Sequence, residues 1–118
     1  MMHKVLIALG SNTQQEVNIK AATEKLLDLL APDGRTTPAI WTEPIGIPHS
    51  DRFLNSLVTG STTLELDALN ALLKQMERDS GRRPGACTLD LDVLSYDGVH
   101  YHESDWQRDY IQELLNYL

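Results

Sequence analysis

TLDLDVL, residues 88 to 94, sets Asp90 and Asp92 two positions apart inside an apolar run. In a strand, alternation sends Leu89, Leu91 and Val93 to one face and both aspartates to the other. Two residues of strand rise then put the carboxylates roughly 6 to 7 Å apart. Anions that close repel unless a proton or a cation sits between them. A divalent cation, which prefers carboxylate oxygens, is one solution, and a solvated sheet face is the other. Just upstream, Arg78, Arg82 and Arg83 form the densest positive cluster in an acidic chain. A solvated helix end accounts for them, because cations are favoured at helix C-termini. So does an anion site beside the metal site, and the two together would describe a nucleoside triphosphate held by magnesium and arginine.

These side chains need a scaffold, and 118 residues allow one domain, residues 1–118, with its own core. A hydrophobic fraction of 42% with 23% charged residues fits a soluble globular protein. No apolar run is long enough to span a bilayer, so no membrane partner is expected. The start, MMHKVLIALGSN, has too short an apolar stretch for a secretion signal. Cys87 is the single cysteine, which excludes an intramolecular disulfide and makes the cytoplasm the expected compartment. A net charge of -7 argues against general nucleic-acid binding, which needs a basic surface to neutralise phosphates. Oligomeric state is left open.

HKVLIAL (3–9) reads as a buried strand that GSN ends in a turn. Ile19, Ala22, Leu26, Leu29 and Leu30 recur at helical spacing, and PDG at 32–34 stops that helix. A strand through TTPAIW follows, then a long loop, TEPIGIPHSDR (42–52), whose length suggests function. FLNSLVTGSTTL (53–64) is a strand in which Gly60 suggests a bulge. Leu66, Leu69, Leu72, Leu73 and Met76 predict a second helix ending near Gly81. RRPGA is a loop, CTLDLDVLSY a strand and DG at 97–98 a hairpin turn. A last helix from about Asp105 to Leu118 turns Trp106, Tyr110, Ile111, Leu114 and Leu115 to one side. The order βαββαβ with a C-terminal helix is the α+β, ferredoxin-like sandwich of an antiparallel sheet and two helices. That superfold hosts many unrelated activities.

IALGSN at the end of the first strand, TEPIG in the long loop, FLN opening the third strand, and GR followed by TLDLDVL together resemble the 6-hydroxymethyl-7,8-dihydropterin pyrophosphokinase family of folate biosynthesis. The order and spacing agree from about residue 4 to 96. The resemblance implies transfer of pyrophosphate from ATP to the hydroxymethyl oxygen of 6-hydroxymethyl-7,8-dihydropterin, with AMP leaving. It also implies two magnesium ions (Mg2+) held by Asp90 and Asp92. Such chemistry is mostly positioning and charge neutralisation, which carboxylates for metal and arginines for phosphate supply.

Carried over by position, Thr42, Pro44 and Asn55 would lie by the pterin, Asn55 offering a donor and an acceptor to its amide-like edge. Phe53 would present an aromatic face to the ring. Glu77 and Arg82 match positions in and beside the catalytic centre, with Arg82, beside Arg83, a phosphate contact. Taken alone, Phe53 reads as core, Asn55 as a strand residue and Glu77 as a solvated helix residue. In the C-terminal part, His102, Arg108 and Tyr110 match a histidine and arginine for ATP and an aromatic closing on the pterin's second face. Glu103 stands where the family has proline. The loop between GR and TLDLD is shorter than the family's and lacks its tryptophan, and Cys87 replaces the arginine before the threonine. The chain also ends soon after its last helix, short of the family's usual extension. A short lid with one arginine fewer would exclude water and neutralise migrating charge less well. Beside an ATP-dependent pyrophosphokinase stand two other readings: a weakened homologue binding nucleotide or pterin as a sensor or partner subunit, and a ferredoxin-like interaction domain with a solvated TLDLD face.

Overall fold

The computed structural model describes residues 1–43, 52–81 and 88–118. Strand β1 (His3–Ser11) carries VLIAL and is followed by helix α1 (Gln15–Leu29) and two short strands, β2 (Arg35–Thr36) and β3 (Ile40–Thr42). Then come β4 (Phe53–Thr62), α2 (Leu66–Asp79), β5 (Asp90–Tyr96), β6 (Val99–His100), α3 (Glu103–Trp106) and α4 (Asp109–Leu115). The strand order is β2-β4-β1-β5-β6, with β3 also paired to β4, and every pairing is antiparallel. This is the expected ferredoxin-like βαββαβ arrangement. No helix among the described residues is long and apolar enough to cross a membrane.

The unbroken apolar run of β1 follows from its central place, because both of its faces are covered. On one face Val5, Ile7 and Leu9 pack with Ile19, Ala22, Leu26 and Leu30 around α1 and with Leu69 and Leu73 of α2. On the other, Leu6 meets Leu57, Leu94, Ile111 and Leu114, so the C-terminal segment closes the second face. In β5 the alternation holds: Leu89, Leu91 and Val93 join the first core. The register of β1 against β5 then shifts between Leu6 and Ile7, leaving Leu94 as an extra residue that points into the second core.

Five sequence expectations change. Gly60 marks no bulge: it pairs in register with Val5. Its missing side chain admits the turn after α1, since a Cβ there would lie 2.8 Å from Leu30 Cβ and 3.0 Å from Gly34 Cα. The strand through TTPAIW is split, because Pro38 has no N–H to donate. Thr37 bridges the gap, its N–H donating to Leu57 O at 2.9 Å and its Oγ1 accepting from Leu57 N at 3.0 Å. β1 runs on to Ser11 instead of turning at GSN, and Leu72 of α2 is exposed. The last helix is broken, because two anchors pull it different ways. The Trp106 indole donates to the carbonyls of Leu94 at 3.1 Å and Tyr101 at 3.0 Å, while Ile111 and Leu114 enter the second core. Arg108, with ψ 139°, is extended between them.

Gly60→Ala should therefore cost about 1–3 kcal/mol, the range for overpacking a well-filled interior. Urea denaturation measures it, and a loss below about 0.5 kcal/mol would mean that Leu30 and Gly34 yield freely.

Candidate active site

A cavity of about 190 Å³ opens on the second face of the sheet, bounded by residues of β1, β3, β4, β5, α3 and α4. Its floor follows from pairing register. Gly10 of β1 lies opposite both Asn55 of β4 and Asp90 of β5, and directly opposed residues share a face. Asn55, Gly10 and Asp90 therefore form one row across three strands. At about 4.8 Å per strand, the amide and the carboxylate sit roughly 10 Å apart. Gly10 keeps the space between them clear, since a Cβ there would approach Asn55 Oδ1 to 3.0 Å. Asn55 is buried, and its Nδ2 donates to Thr42 Oγ1 at 2.6 Å, which fixes the amide against β3. Phe53 and Tyr110 also line the cavity. Tyr110 stays a neutral phenol because burial raises its pKa, helped by the charge of Asp105 and opposed by Arg108.

Asp90 and Asp92 both face this cavity, as alternation predicts. At the entrance to β5, the Ser11 hydroxyl donates to Thr88 O at 2.6 Å and ties the end of β1 to the residues before the aspartates. Burial pushes the Asp92 pKa up; His102 and Lys74 pull it down, while Asp105 and Glu77 push it further up. His102 Nε2 lies 3.7 Å from Asp92 Oδ1, and Arg108 Nε lies 3.4 Å from Asp105 Oδ1. Ligand atoms of Asp92, His102 and Asp105 all fall within 4.8 Å of one another. The local supply of carboxylate oxygens suits a hard divalent cation. Trp106 makes this possible: by binding the Leu94 carbonyl it docks α3 beside β5, with Asp105 next to it in sequence.

The structure thus brings together Thr42, Phe53, Asn55, Asp90, Asp92, Arg108 and Tyr110 around one cavity, with His102 beside Asp92. Glu77 is elsewhere. It is buried on the α2 side of β5, where Oε2 accepts from the Leu91 N–H at 2.7 Å and Oε1 from Lys74 at 3.2 Å. It is not a solvated helix residue, because it continues the inward row of Leu69 and Leu73 at a spacing of four. Arg78 donates to Gln75 in the last turn of α2. Pro44, Arg82, Arg83 and Cys87 lie outside the described residues. Gly10 and Asp105 were missed from sequence. A glycine inside a strand signals close approach, which could have found the first. The i,i+3 spacing to Arg108 was the only hint of the second.

Because the ionised form of Asp92 is disfavoured in the folded state, its raised pKa means a stability cost above that pKa, relieved as pH falls below the unfolded value near about 3.9. Asp92→Asn should raise the ligand-free protein's stability at pH 7, with the gain shrinking as pH is lowered through the carboxylate range. Urea midpoints across pH check this, and equal or lower stability at pH 7 would contradict it.

The sequence model of the 7,8-dihydro-6-hydroxymethylpterin-pyrophosphokinase family matches residues 6–118. A folate synthesis bifunctional protein of Arabidopsis thaliana is 34% identical over 123 residues, covering 92% of this chain and 25% of the relative. A mitochondrial folate synthesis bifunctional protein of Pisum sativum is 34% identical over 129 residues, covering 95% of this chain and 24% of the relative. In Pseudomonas aeruginosa, a 2-amino-4-hydroxy-6-hydroxymethyldihydropteridine pyrophosphokinase is 34% identical over 104 residues, covering 81% of this chain and 63% of the relative. The chain spans about a quarter of the plant proteins and less than two thirds of the bacterial one. With the family's sequence model matching nearly the whole chain, it belongs to the 7,8-dihydro-6-hydroxymethylpterin-pyrophosphokinase family.

Proposed function

We propose that this protein transfers pyrophosphate from ATP to 6-hydroxymethyl-7,8-dihydropterin, releasing AMP, and does so in the cytoplasm. One observation carries the reading: the paired carboxylates Asp90 and Asp92 share a single cavity with the Asn55–Thr42 amide and the rings of Phe53 and Tyr110. A charged end that suits metal and phosphate thus faces a polar and aromatic end that suits a flat heterocycle.

In this reading Asn55 hydrogen-bonds the pterin edge, and Phe53 and Tyr110 cover its two faces. Thr42 and Pro44 complete that end. Arg82, Arg83, Arg108 and His102 contact the triphosphate. Two magnesium ions, when bound, would neutralise phosphate oxygens and keep the triphosphate in line, with Asp90 and Asp92 as their protein ligands. The hydroxymethyl oxygen forms a bond to the β-phosphorus. The bond from that phosphorus to the oxygen bridging to the α-phosphorus breaks, AMP leaves with the bridging oxygen, and the hydroxyl proton passes to water. The chain's contribution is position: holding the nucleophile and the β-phosphorus together in a small cavity removes much of the entropic barrier.

The second reading, a weakened homologue that binds nucleotide or pterin without efficient turnover, is favoured by Cys87 in place of the family's arginine. The 3.4 Å contact of Asp105 with Arg108 also favours it, since phosphate must compete for that arginine. AMP release from ATP and the pterin decides between the readings, measured on the natural protein, Cys87→Arg and Arg83→Ala. A donor to transition-state charge is worth roughly 3–4 kcal/mol, two to three decades in rate. Turnover in the natural protein that collapses in Arg83→Ala and ignores Cys87→Arg is the expected result, with Arg83 serving in the shortened loop. A slow natural protein accelerated by Cys87→Arg would mean a weakened enzyme, and no AMP from any of the three would leave binding alone.

A further inference from the structure

We infer that Glu77 is a positioning residue for the aspartate pair, acting from behind the strand rather than touching nucleotide; this rests on the reading of Asp90 and Asp92 as cation ligands. Leu91 lies between the two aspartates, and its N–H points away from β1 to Glu77 Oε2 at 2.7 Å. On that side of β5, β6 pairs with Ser95 and Tyr96, so no strand among the described residues supplies an acceptor to Leu91. A buried N–H without one is costly, and the segment would relax to find a partner. Glu77 is only 3% exposed, and a carboxylate that deep is held by its bonds to Leu91 and Lys74.

The location gives the bond a consequence beyond stability. Leu91 also buries its side chain in the first core, so Glu77 fixes the backbone at the point from which Asp90 and Asp92 both project the other way. The Glu77 carboxylate thus sets the separation of the two ligands. Groups that orient metal ligands in this way typically change metal affinity 10–100-fold when removed.

The test is a titration of Mn2+, read by electron paramagnetic resonance, at fixed α,β-methylene ATP. The proteins are the natural chain, Glu77→Gln, which keeps an acceptor for Leu91, and Glu77→Met, which fills the same space without one. Glu77→Met should need 10–100 times more Mn2+ for half-saturation, while Glu77→Gln stays within a few-fold of the natural protein. Nucleotide binding extrapolated to saturating Mn2+ should be unchanged in both. If Glu77→Met does not fold, Glu77→Asp, one methylene too short to reach Leu91, takes its place with the same expectation. Equal Mn2+ requirement in all variants overturns the inference, as does nucleotide affinity lost in both variants at saturating Mn2+, which would make Glu77 a nucleotide contact. AMP release by the natural protein is scored separately. Its absence beside an intact Mn2+ effect removes pyrophosphate transfer and keeps the positioning role, and the converse result does the opposite.

Discussion

Period-two alternation along β5 ties the core to the site. Leu89, Leu91 and Val93 are all nearly inaccessible to water, and burying them is worth roughly 1.5–3 kcal/mol each. That burial fixes which face they occupy, and a strand leaves no freedom to move Asp90 and Asp92 off the other one. Two carboxylates are thus held at the wall of a partly desolvated cavity by the hydrophobic energy of their neighbours. The burial of Asp92 at that wall, which raises its pKa, is a cost imposed by the core.

The surrounding elements follow from that arrangement. β1 must be apolar on both faces because it lies between β4 and β5, under α1 and α2 on one side and α4 on the other. It contributes Gly10 to the site where any side chain would crowd Asn55. The bulge at Leu94 turns one residue toward the second core, and its carbonyl accepts both the Tyr101 N–H and the Trp106 indole. The broken C-terminal helix is the outcome: α3 stays by the aspartates and α4 packs as a cover, with Arg108 extended between them. His100 stacked on Trp106 at 3.9 Å steadies the same corner.

Much of this was legible in the sequence, and the exceptions share a physical cause. The order of elements, the facing of Leu91 against Asp92, and the apolar rows of α1 and α4 follow from local periodicity, which neighbouring residues encode. The break at Arg108, the bulge at Leu94 and the exposure of Leu72 depend on contacts between distant segments, which periodicity does not carry. Glu77 shows the same limit. Its helical row with Leu69 and Leu73 was visible, yet its partner, the Leu91 amide, lies 14 residues on, across the first core. The cavity residues Asn55, Thr42 and Phe53 could be grouped only by resemblance, since no spacing rule brings β3 and β4 against β5 before the sheet order is known.

The central claim is that Asp90 and Asp92 form the cation-holding edge of a nucleotide site. Crystals grown with Mn2+ and α,β-methylene ATP test it directly, through anomalous scattering from the metal. The account predicts Mn2+ peaks in contact with the carboxylates of both Asp90 and Asp92 and with phosphate oxygens. Mn2+ confined to Asp92, His102 and Asp105 without phosphate, or nucleotide bound with no metal at the pair, would contradict it.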